Sequence, residues 1–71
     1  MSEFESLKKE NQKLRQYISL ISAEIELLQR VSEIKENFNN SPDSKRIIVP
    51  ILDRINRIRS EKQELSEELG L

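Results

Sequence analysis

Residues 39–55 read NNSPDSKRIIVPILDRI and set a proline, Pro50, inside the most apolar run of a chain otherwise rich in helix formers. Pro50 can begin a helix, bend one, or mark a strand, and the fold depends on which. Ser41-Pro42-Asp43, a few residues upstream, has the composition of a helix start. Serine caps, proline at the first helical position loses no hydrogen bond, and aspartate favours the positive end of the helix dipole. A helix starting at residue 42 contains Pro50, which then removes the bond to the carbonyl of residue 46 and bends the helix there. Val49 makes a poor cap for a separate start. A strand through RIIVPIL has no second strand to pair with.

Upstream, from Phe4 to Phe38, there is no proline or glycine, and Leu, Glu, Lys and Gln are abundant. This stretch reads as one helix of about 50 Å at 1.5 Å per residue. Its apolar residues form two stripes. Phe4, Leu7, Leu14, Ile18, Ile21, Ile25 and Leu28, with Asn11 in the gap, recur at threes and fours as a heptad seam. Leu20, Leu27, Val31, Ile34 and Phe38, with Glu24 in the gap, form the second stripe on another side. Asn39 and Asn40 suit a left-handed helix end, so the loop is short and the next helix runs antiparallel. That helix carries Ile48, Ile51, Ile55, Ile58, Leu65 and Leu69, with Lys62 in its gap; Ile47 and Leu52 widen the stripe, and Gly70 stops it.

The fold class read from these patterns is all-α: an antiparallel hairpin with helices at about 3–38 and 42–69, kinked near Pro50. Residues 1–71 make a single domain. Charge supports the hairpin. Lys45, Arg46, Arg54, Arg57 and Arg59 outnumber Asp43 and Asp53, whereas Glu61, Glu64, Glu67 and Glu68 outnumber Lys62. Folding at residue 41 brings the acidic end to Lys8, Lys9, Lys13 and Arg15. The same fold brings the basic stretch to Glu24, Glu26, Glu33 and Glu36. The second helix reaches back to about residue 12, leaving Phe4, Leu7 and part of the seam through Leu14 without cover. Exposed apolar area costs roughly 25 cal/mol per Å², so the chain is expected to self-associate, most simply as two hairpins in a coiled-coil-like four-helix bundle. Its interface is assigned to Phe4, Leu7, Asn11, Leu14, Ile18, Ile21, Ile25 and Leu28. Asn11 is either a polar register-setting residue in that seam or a solvated residue near a helix end.

Composition narrows the chemistry. With 71 residues, no cysteine and no histidine, the chain lacks disulfides, thiolate or imidazole metal ligands and imidazole bases. No cofactor is expected. A formal net charge of -1 carries no global basic field, and no apolar run is long enough to span a bilayer, so a cytoplasmic or nuclear protein is expected. The function expected is a non-enzymatic protein–protein interaction module: a scaffold, adaptor or regulator that acts as a homo-oligomer. The alternative is an RNA- or DNA-binding hairpin dimer, using Lys45, Arg46, Arg54 and Arg57 on phosphates; the plainer reading of these cations is a solvated face paired with glutamates.

Residues 14–30, LRQYISLISAEIELLQR, resemble the opening helix of the all-helical chorismate mutases: a Leu-Arg start, paired Ile positions and a closing Arg. The resemblance implies a remote enzyme alternative, with Arg15 and Arg30 serving an active site. Ser19 stands where that family has Asp, Arg30 falls about two residues early, and a third helix with its Gln or Glu is missing.

Overall fold

A computed structural model describes residues 3–38 and 41–71 as two α-helices, α1 (Glu3–Phe38) and α2 (Pro42–Leu69), at the boundaries read from the sequence. The expected role of Asn39 and Asn40 in ending α1 lies outside the described residues. At 36 residues, α1 spans about 54 Å, which accounts for the longest dimension of the molecule, 57 Å against 16 and 15 Å across.

Local chemistry sets the α2 ends. Ser41 is extended, with φ -62° and ψ 158°, and its Oγ accepts from the backbone N–H of Ser44 at 3.2 Å. Ser44 Oγ donates in turn to the Ser41 carbonyl at 2.8 Å, so the first turn is closed from both sides. At the other end Gly70 adopts φ 72°, the left-handed region where a side chain is strained. Its N–H donates to the Glu67 carbonyl and that of Leu71 to the Ser66 carbonyl, a Schellman closure of the last turn. Pro50 lies inside α2, as a helix starting at residue 42 requires. No helix among the described residues is long and apolar enough to cross a membrane.

The two helices pack antiparallel along one seam, and the ion pairs fix the order: Lys13 meets Glu68 at 3.0 Å, and Glu24 meets Lys62 at 2.7 Å. The core joins Leu27 and Val31 of α1 to Ile48, Ile51 and Ile55 of α2, with Ile34 and Ile58 packed against it. Leu65 extends the buried row toward the open end. Ile55, at 1% exposure, is the largest fully buried side chain. Ser44, also 1% exposed, stands four residues before Ile48 and continues the α2 seam with a small side chain.

Two expectations need correction. Phe38 was placed with the second stripe, but it is half exposed. Ser41 N–H donates to the Phe38 carbonyl, so the chain turns there, and the first α2 residue on the seam is the short Ser44, which cannot cover an aromatic ring. Similarly Ile47 and Leu52 were expected to widen the α2 stripe and are instead exposed, as is Val49; only Ile48 and Ile51 of that run point into the core. Helical spacing explains this: Ile48, Ile51 and Ile55 already fill the 100°-wide face that one neighbour can cover.

Candidate interaction surfaces

Packing α2 on the second stripe of α1 leaves the first stripe uncovered along its whole length. Phe4, Leu7, Asn11, Leu14, Ile18, Ile21, Ile25 and Leu28 are all exposed, from 73% at Phe4 to 36% at Ile21. The uncovered part was expected to end near Leu14, where α2 begins to run alongside. It continues to Leu28 because α2 packs on the second stripe along its length, where Lys62 at the gap in its seam meets Glu24 at the gap in the stripe. Near the N-terminus the exposed stripe forms a groove of about 460 Å³ lined by Phe4, Leu7, Lys8, Asn11, Gln12 and Arg15.

Glu24 is the electrostatic centre of the hairpin. Its side chain is 13% exposed, with Lys62 Nζ at 2.7 Å from Oε1 and Arg59 Nε donating to Oε2 at 3.2 Å. Oε1 is shut off from solvent and makes no geometrically ideal hydrogen bond among the described residues, so the Lys62 ammonium is what compensates its charge. The Lys62 contact lowers the Glu24 pKa, desolvation opposes this, and Arg59 adds to the lowering, leaving it below the ordinary carboxylate value of 4.5. A depressed folded-state pKa means this contribution to stability is complete above the unfolded pKa and is lost as pH falls through the folded one. Urea unfolding at pH 7 and pH 3 should therefore show Glu24→Gln less stable than the native chain at pH 7, with a smaller gap at pH 3. An equal gap at both pH values would contradict the assignment.

The sequence held both halves of this site, since Glu24 and Lys62 each interrupt an apolar stripe. What it did not show was that the hairpin sets one interruption against the other. Ser44 was also missed, although stepping back four residues from Ile48 along the seam reaches it.

The basic residues divide. Arg59 turns to Glu24, while Lys45, Arg46, Arg54 and Arg57 are exposed and make no ion pair among the described residues. Pairing of this stretch with Glu26, Glu33 and Glu36 was expected and is not formed; these three glutamates stand exposed on α1. Arg54 and Arg57 flank a shallow depression together with Ile58 and Glu61. Arg15 and Arg30 are both exposed and lie 15 residues apart on α1, about 22 Å along the axis.

Compared with known proteins, the chain matches no family model, no curated sequence and no solved structure. Function is therefore argued from the surfaces themselves.

Proposed function

We propose that the chain is a non-enzymatic protein–protein interaction module, a small scaffold or adaptor whose hairpins self-associate through α1, four helices to a dimer. The observation that carries this is the continuous exposed stripe from Phe4 to Leu28. A monomeric soluble domain seldom exposes a contiguous apolar strip of this extent, because the same area buried against a neighbour is stabilising at roughly 25 cal/mol per Å². A hairpin of 71 residues also has a small core, here one cluster of five buried residues, and gains more than a larger domain would from covering that stripe. Sedimentation at micromolar concentration is the test, and a fully helical monomer would overturn the reading. In a cytoplasmic or nuclear setting, the outer faces remain free to carry a second protein.

A second reading, polyanion binding, is favoured by one observation: Lys45, Arg46, Arg54 and Arg57 are exposed and unpaired among the described residues. Glu61 beside Arg54 and Arg57 weakens it. Binding of RNA or DNA through this face should fall steeply with salt and drop by at least about tenfold when Arg46, Arg54 and Arg57 all become Ala, each being a phosphate contact. Titration of labelled oligonucleotide at two salt concentrations decides it, and binding that ignores the triple substitution rules this surface out.

A further inference from the structure

We infer that the exposed α1 stripe is covered by the α1 of a second copy of this chain, parallel and in register, as a two-stranded coiled coil over residues 3–28. This rests on the self-association reading above and adds the partner, its orientation and its alignment.

Within this protein, the choice of helix to fill the place is narrow. Outside its intrachain seam, α2 from Asp53 to Glu68 carries only polar and charged residues, among them Arg54, Arg57, Glu61 and Glu64. No second apolar row exists there to lie on α1. The exposed apolar residues of α2, Ile47, Val49 and Leu52, span less than two turns, so among the described residues the surface that matches the stripe in length is the stripe itself.

Heptad positions then set the strand number. Counting Phe4 as position a, the a residues are Phe4, Asn11, Ile18 and Ile25, and the d residues are Leu7, Leu14, Ile21 and Leu28. Branched Ile at two of the four a positions, with Leu at three of the four d positions, favours two parallel strands, and a single Asn at an a position specifies register and oligomer number at some cost in stability. In register, Asn11 meets Asn11 of the other copy and its side-chain amides can pair. In any shifted alignment it faces Ile or Phe with its polar atoms unsatisfied.

Flanking charges set the direction. Glu3 and Glu10 precede a positions, and Lys8 and Arg15 follow d positions. In a parallel pair a flanking residue before a meets the residue five positions on in the other chain, which gives Glu3 with Lys8 and Glu10 with Arg15. An antiparallel pair centred on the stripe instead sets Glu10 against Glu24 and Arg15 against Arg15, and leaves Glu3 and Lys8 with no opposite charge across the seam. Opposite charges at these flanks select the partner orientation, and like charges disfavour the alternative.

The surface relief agrees with this. The groove near the N-terminus is bounded by Phe4, Leu7, Lys8 and Asn11, spaced i, i+3, i+4 and i+7. That four-residue diamond is the hole that receives a d-position knob from a facing helix, and in the in-register parallel pair the knob is Leu7 of the other copy. The two α2 helices then lie on the outside, away from the two-stranded seam.

Cysteine crosslinking tests this on the full chain, which has no cysteine of its own. Leu7→Cys and Ile25→Cys are made separately, both at exposed positions outside the hairpin core, and retained helicity is verified by circular dichroism. Mild oxidation should convert most of each variant to its own disulfide-linked dimer, because identical seam positions face each other in a parallel pair. In an antiparallel pair centred on the stripe, Leu7 lies about 27 Å from its copy and opposite Ile25, so only a mixture of the two variants links. Mixed linkage alone overturns the inference and leaves self-association standing. A native chain that sediments as a monomer, with no linkage in either variant, overturns the self-association reading itself.

Discussion

Ile55→Ala should remove about 2–5 kcal/mol of stability, the range for truncating a fully buried isoleucine with incomplete collapse of the cavity. Ile55 is 1% exposed and sits at the centre of the cluster of Leu27, Val31, Ile48 and Ile51. No other side chain can move in to fill the gap, because the hairpin has only two layers and Ile34 and Ile58 already occupy its margins. Total stability for a chain this long is roughly 4–10 kcal/mol at 0.05–0.15 kcal/mol per residue. The loss is therefore a large fraction of the total, and a shift of the urea midpoint should be accompanied by reduced helicity at 37 °C. Val49→Ala, six residues away in the same helix and exposed, should change stability by no more than about 0.5 kcal/mol. If the two substitutions cost the same, the hairpin core is not where the structure places it.

Placing aspartate at Ile18 and Ile25 should have the opposite pattern, with assembly lost and the hairpin kept. Both residues are more than half exposed and make no part of the intrachain core. In the assembled form their burial contributes roughly 1.5–3 kcal/mol each, counted twice in a symmetric pair, and the carboxylates add a desolvation cost. A rise in the dimer dissociation constant of more than about 10³-fold follows, since 4 kcal/mol is already a thousandfold. Sedimentation would report a monomer where the proposed assembly makes the native chain a dimer, while circular dichroism should show the helicity of the hairpin retained. A variant that unfolds completely as a monomer would mean that the hairpin has no stability apart from its assembly. A variant that sediments like the native chain would remove this stripe from the interface.

Most of the architecture was legible because its determinants are local. Ser41, Pro42 and Asp43 supply a cap, a pre-set φ and a favourable charge within one turn, and Gly70 supplies a left-handed residue at the stop. Pro50 was legible by the same logic once the true cap had been found upstream of it. The seam residues were legible from periodicity, though not that their exposure runs on past Leu14 to Leu28, and the charge-based hairpin order is realised in Lys13 with Glu68 and Arg59 with Glu24. Phe38, Ile47 and Leu52 were misplaced because hydrophobicity marks what gains from burial without saying which residue finds a neighbour.

Helix ends, helix lengths and the two stripes of α1 are determined by the sequence alone, since each rests on interactions within a turn or two of the chain. Which stripe α2 covers was decided only by tertiary structure. Both stripes are apolar and period-matched, so burial by itself does not choose between them. Charge at the interruptions favours the second: there Lys62 in the α2 seam lies directly against Glu24, whereas the gap in the first stripe is the uncharged Asn11. That one long-range pairing directs α2 to the second stripe and leaves the first, from Phe4 to Leu28, facing outward.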